Sequence, residues 1–133
     1  MIGVLLAFAL RRPRLLLPLV LADLAAEGAT DILKALIPRH RPFVRQLGGH
    51  LSTHSFPSGH TATSFACATV LAAFAPRLRI PLYVLAAAVA YSRLYNGVHF
   101  PLDVVAGAVL GTATALLLLS GLRRGSRRAP RAG

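Results

Sequence analysis

Three short clusters in the chain carry residue types and spacings suited to phosphoryl chemistry. The first runs from Lys34 to Arg41 and Pro42, the second is Pro57-Ser58-Gly59-His60, and the third holds Ser92, Arg93, His99 and Asp103. Lys34, Arg41 and Arg93 are cations with no equal number of acids nearby, and together they suit a highly charged anion such as phosphate. Ser58 and Gly59 read as the opening of a helix, where unsatisfied N–H groups and the positive dipole end add donors for the same anion. Glycine at position 59 lets the backbone approach a ligand closely. His99 and Asp103 are one helical turn apart, with Pro101 suited to the first position of a helix. A carboxylate in that first turn can reach back to the imidazole, fix its tautomer and leave the other nitrogen to attack. His60 then supplies a second imidazole, suited to protonating a leaving oxygen.

The elements that must bring these clusters together are apolar. The chain has 133 residues, 55% hydrophobic and only 14% charged, with a mean hydropathy of +0.61. Ordinary soluble domains carry about 25% charged residues. The length fits one domain covering 1–133, with a motif core at 34–103. The deficit of charge excludes a disordered polyelectrolyte. The single cysteine, Cys67, excludes an internal disulfide framework or a multi-cysteine zinc site.

Residues 104–122 are uncharged and, at about 1.5 Å per residue, reach roughly 28 Å, the thickness of a bilayer core. Residues 80–98 and 59–75 form two further apolar runs, and 14–37 a more polar one. The expected fold class is therefore all-α: a polytopic transmembrane helix bundle of about four full spans. Residues 2–10 add an apolar segment too short to span, read as an interfacial helix or the end of a longer one whose beginning is missing. Asp23, Glu27 and Asp31 share one helical face, which cannot look at lipid and should face other helices or water; an interior polar stripe is expected.

The formal net charge of +11 is distributed in a way that suits membrane topology better than nucleic acid. Arg11, Arg12 and Arg14 precede the first span, Arg77 and Arg79 lie between the second and third, and Arg123, Arg124, Arg127, Arg128 and Arg131 follow the fourth. With four spans these clusters share one side, which the positive-inside rule makes cytoplasmic. All three chemical clusters then meet at the opposite, extracytoplasmic face. The arginine bias hints at GC-rich coding and a bacterial cell membrane. Residues 123–133 read as a disordered basic tail near anionic lipid.

Taken together, Lys34-x6-Arg41-Pro42, Pro57-Ser58-Gly59-His60 and Ser92-Arg93-x5-His99-x3-Asp103 resemble the three signature blocks of the phosphatidic acid phosphatase type 2 superfamily. They stand in the family's order with its internal spacing, over about half of the chain. The resemblance implies that His99 takes the phosphoryl group as a phosphohistidine and that Asp103 orients it. His60 would protonate the leaving group and then activate water, while Lys34, Arg41, Ser58, Gly59 and Arg93 hold the phosphoryl oxygens. No cofactor and no metal are implied, because cations and backbone donors take over the stabilising task that metals perform in other phosphatases. The implied substrate is a lipid phosphate or diphosphate, such as polyprenyl diphosphate, phosphatidate or phosphatidylglycerol phosphate. The family's membrane enzymes have a six-helix core, and a chain lacking its first helices is the simplest account of four spans.

The competing reading is a non-catalytic protein that binds lipid headgroups through a degenerate site, but binding alone does not need two imidazoles. Oligomeric state has no sequence signal. Arg39 and His40 lie inside the first block at variable positions, facing either substrate or solvent. His50 and His54 lack an intervening carboxylate and read as loop polarity, not a metal site. Gly107 and Gly111 form a GxxxG spacing, read as close packing within the chain. Asp31 is placed to pair with an arginine of the site, and Tyr91, Tyr95 and Phe100 suit an aromatic belt.

Overall fold

The computed structural model describes residues 13–40 and 54–128, with side chains as far as Arg124. The apolar segment at 2–10, Arg41 and Pro42 and His50 lie outside the described residues. The described chain is all-helical, and its four α-helices fall on the four apolar runs. They are α1 (Leu16–Leu36), α2 (Gly59–Phe74), α3 (Arg79–Tyr95) and α4 (Pro101–Arg128). Short 3-10 turns at Pro13–Leu15 and Pro76–Leu78 lead into α1 and α3.

Prolines and one glycine set the boundaries. Pro38 follows the α1 C-cap Ile37 and restricts it away from helical backbone. Pro76 stands at the first position of the second 3-10 turn and ends the run of α2. Gly97 has φ 64°, a left-handed conformation that suits glycine, and its N–H returns to the Leu94 carbonyl to close α3. Pro101 opens α4 as the sequence predicts.

Helix α2 is the centre of the bundle and packs against all three others. Its buried positions are small, including Thr61, Ala62, Ala66 and Ala68, so neighbouring backbones come close. The tightest seam is with α4. A Cβ on Gly107 would lie 2.5 Å from the Ser58 carbonyl oxygen, and one on Gly111 would collide with the Ala62 carbonyl. The GxxxG pair is thus an internal seam. On α1 the buried stripe is Leu19, Ala22, Ala26 and Thr30, continued by Leu15 in the turn before it, and on α3 it is Leu82, Ala86 and Ala90.

The expected interior acidic stripe is not found. Glu27 and Asp31 are exposed and Asp23 is half-buried. The acids sit one position beyond the buried stripe, about 100° around the helix, because the small residues of that stripe are the ones that pack on α2. Among the described residues Asp31 pairs with Lys34, at 3.8 Å, and not with an arginine. Helix α4 continues to Arg128, six residues past the expected end of the span, and residues 129–133 lie outside the described residues. Arginine is a good helix former, and Arg123 and Arg124 place positive charge toward the C-terminal end, where the helix dipole favours it.

Among the described residues one helix is long and apolar enough to cross a membrane, over Pro101–Arg124. Helices α2 and α3 have 16 and 17 residues, about 24–26 Å of rise, and α1 carries Asp23, Glu27, Asp31 and Lys34.

Candidate active site

The up-and-down order of the helices brings the end of α1, the start of α2, the end of α3 and the start of α4 to one end of the bundle. Lys34 follows Ala26 and Thr30 along the face of α1 that packs on α2. Its ammonium lies 3.7 Å from the position a Cβ on Gly59 would take. The first and second clusters therefore meet at Gly59. The second and third meet through the backbone, where the Ser58 N–H donates to the Asp103 carbonyl at 2.9 Å. Ser58 holds the N-cap position of α2 but its side chain does not cap the helix. Its hydroxyl instead accepts from the Thr61 hydroxyl at 3.0 Å, and the residue is fully buried. The Ser58 N–H is thus committed to the α2–α4 seam, and the first-turn amides beyond it are the ones without acceptors inside their own helix.

His99 and Asp103 are both buried, at 7% and 0% exposure. The imidazole Nδ1 is 2.8 Å from the Ser55 carbonyl oxygen and 3.8 Å from Asp103 Oδ2. A carbonyl can only accept, so Nδ1 carries the proton and, in the neutral ring, the lone pair is on Nε2. The sequence expectation that Asp103 fixes the tautomer is revised by this geometry. The carboxylate is too far for that hydrogen bond and acts on His99 as a nearby charge. Its own bonds go elsewhere: Oδ2 accepts the Phe100 N–H at 2.9 Å, closing the first turn of α4, and Oδ1 accepts Arg39 Nη1 at 2.9 Å. A fully buried carboxylate requires such partners.

Arg93, in the last turn of α3, has a buried Nε with no hydrogen-bond partner among the described residues. An orphaned guanidinium donor at the same end of the bundle is a group that an anion can satisfy. His60, in the first turn of α2, is exposed at the same end of the bundle. The arrangement combines an imidazole with a fixed tautomer, a second imidazole and cationic donors.

A family model of the PAP2 superfamily matches residues 15–126. The chain belongs to the PAP2 superfamily. It is 38% identical over 104 residues to the bacitracin transport permease protein BcrC of Bacillus licheniformis, covering 74% of this chain and 51% of BcrC. The crystal structure of Aquifex aeolicus LpxE matches with a TM-score of 0.75 at 34% identity, over 87% of this chain and 73% of that one. A transmembrane PAP2-type phosphatidylglycerolphosphate phosphatase from Bacillus subtilis matches with a TM-score of 0.68 at 30% identity, over 88% and 61%. The chain spans about half the length of the curated relatives it matches.

In this PAP2 chain the described members of all three clusters lie at one end of the bundle. Two contributors were missed from sequence. Ser55 acts through a backbone carbonyl, which any residue supplies, so its type carries no signal. Arg39 stands out in the sequence as a cation inside the first block, but as one facing substrate, solvent or lipid headgroup and not as the partner of Asp103. Phe100, expected in an aromatic belt, lies beneath Arg39, whose guanidinium carbon is 4.5 Å from the ring centre. Tyr91 and Tyr95 are exposed. His54 meets His40 in an isolated antiparallel bridge.

Proposed function

We propose that the chain hydrolyses a lipid phosphate or diphosphate through a phosphohistidine, with the substrate chain held in the bilayer. The observation that carries this reading is His99 Nδ1 bonded to the Ser55 carbonyl, which leaves the lone pair on Nε2, at the end of the bundle where Lys34 and Arg93 also lie. Nε2 attacks phosphorus and the P–N bond forms as the P–O bond to the leaving group breaks. His60 gives its proton to that departing oxygen, then takes a proton from the water that cleaves the P–N bond and releases phosphate. Lys34, Arg41, Arg93 and the first-turn amides of α2 stabilise the charge on the three equatorial oxygens. Gly59 keeps the space beside the Lys34 ammonium open, and Asp103 stabilises the imidazolium character that develops on His99.

In this reading all four helices cross the membrane. α2 and α3 span with little margin, and their ends reach the interface through Arg77, Arg79 and Tyr95. The end bearing Arg77, Arg79, Arg123 and Arg124 is cytoplasmic and the active site is extracytoplasmic. The exposed apolar side chains of α3 and α4, such as Ile80, Val84, Val109 and Leu117, suit lipid contact. Similarity to a phosphatidylglycerolphosphate phosphatase supports a lipid phosphate as substrate class.

The test is phosphate release in detergent with EDTA present, offering a polyprenyl diphosphate and phosphatidate to the wild type and His99→Ala. Metal-independent release that vanishes in the variant supports the histidine mechanism. No release by folded wild-type protein would leave headgroup binding as the better account.

A further inference from the structure

The loop between α1 and α2 is pinned at its neck. The Ser55 N–H donates to the Arg39 carbonyl at 2.8 Å, and the Ser55 hydroxyl donates to the His40 carbonyl at 3.2 Å. His40 and His54 pair across the same short bridge. Both strands of the neck touch the third cluster. One supplies the Ser55 carbonyl to His99 Nδ1, and the other supplies the Arg39 guanidinium to Asp103 Oδ1. Arg39 is therefore joined to His99 by two routes: through its carbonyl and Ser55, and through its side chain and Asp103.

We propose that Arg39 is a positioning residue that sets the tautomer and aim of His99 from outside the reacting centre. The proposal rests on reading His99 as the nucleophile. The geometry of Arg39 is over-determined in the way such a role requires. Its guanidinium lies over the Phe100 ring while Nη1 donates to the carboxylate, and Phe100 itself donates its N–H to the other carboxylate oxygen. Ring, carboxylate and guanidinium thus form one closed unit at the first turn of α4, directly after His99 in sequence. Lysine carries the same charge, but it has no planar face to lie on the ring and no fork fixed in orientation. The side-chain route carries charge and the backbone route carries a hydrogen bond. Removing the side chain leaves a buried Asp103 uncompensated and unseats the neck that presents the Ser55 carbonyl.

The experiment uses the full chain in lipid bilayers with 15N-labelled histidine, and the His99 signal is assigned by its loss in His99→Gln. At mildly alkaline pH, where imidazoles are neutral, the wild type is expected to show a single Nδ1–H tautomer. Arg39→Ala is expected to show an averaged tautomer signal, and Arg39→Lys a partly averaged one. In the phosphatase assay kcat of Arg39→Ala should fall about 100-fold with KM changed less than about twofold, and millimolar guanidinium should restore part of it. Arg39→Ala,Asp103→Asn removes both charges and avoids an unpaired buried carboxylate; compared with Asp103→Asn alone, it isolates the effect of Arg39 if the single variant does not fold. A single, unshifted Nδ1–H tautomer in the folded Arg39 variants overturns the proposal, whatever their activity. A wild type that releases no phosphate counts against the proposed function, and the spectra still decide the role of Arg39.

Discussion

The α2–α4 seam and the site end of the bundle are adjacent but built by opposite means. Along the seam, Gly107 and Gly111 bring the α4 backbone against Ser58 and Ala62, and the contact depends on the absence of side chains. At the site end, side chains that are present do the work: Arg39 on Asp103, Asp103 on the Phe100 amide, and His99 on the Ser55 carbonyl. The Ser58–Asp103 backbone bond joins the two regions at 2.9 Å. The difference teaches that this small bundle separates shape from chemistry. Close-packed small residues fix where the helices stand, and a few hydrogen bonds then orient His99 and Asp103. Substitutions in the two regions should therefore fail in different ways.

The largest expected effect is at the site. His99→Ala should lower phosphate release by about three orders of magnitude or more while thermal unfolding followed by circular dichroism stays near that of the wild type. The wild type should show a bell-shaped dependence of kcat/KM on pH, since one imidazole must start neutral and the other protonated. Loss of the alkaline limb in His60→Gln, with residual activity, would assign the proton donor. A His99→Ala protein that also unfolds early would erase the separation between the regions.

Next come two identical substitutions with opposite expected results. Gly111→Ala forces α4 away from the Ala62 carbonyl and should destabilise the protein by about 1–3 kcal/mol, read as a lower unfolding temperature in detergent. Activity then falls because the helix starts shift together. At Gly59 a new Cβ would meet Thr30 Cγ2 at 3.5 Å and the Lys34 ammonium at 3.7 Å, ordinary contact distances. Gly59→Ala should therefore keep its unfolding temperature and, on the proposed function, lose about tenfold or more in kcat/KM, because the methyl group would take the space proposed for a phosphoryl oxygen. If Gly59→Ala unfolds and Gly111→Ala does not, the roles assigned to the two regions are reversed.

Much of this was legible in the sequence, for physical reasons that also explain the gaps. Helix positions followed from the apolar runs 14–37, 59–75, 80–98 and 104–122, and the structure sets their boundaries at Pro38, Pro76, Gly97 and Pro101, since proline and glycine act locally. Lys34, Gly59 and Asp103 could be placed at one end because antiparallel neighbours return the chain there. The GxxxG pair was readable as an internal seam, although only the packing shows that it lies on Ser58 and Ala62. The hydrogen bond that fixes His99 was not readable, because a backbone carbonyl at Ser55 leaves no trace in residue type. The acidic stripe was misplaced by one position. Periodicity puts Asp23, Glu27 and Asp31 on one face but does not say which adjacent face packs on α2.

The smallest expected effect tests that last point. Gly28 lies between Glu27 and Asp31 on the outer side of α1, and a Cβ there would meet no heavy atom within 4 Å. If this face is open in the working protein, Gly28→Ala removes a flexible residue from a helix interior and should stabilise by about 0.5–1 kcal/mol with activity unchanged. A membrane does not tolerate exposed carboxylates at that depth. If another protein surface covers Glu27 and Asp31 there, the added methyl group would instead weaken the assembly and lower its unfolding temperature. The sign of this one change distinguishes an acidic face that looks onto water from one that is a protein contact.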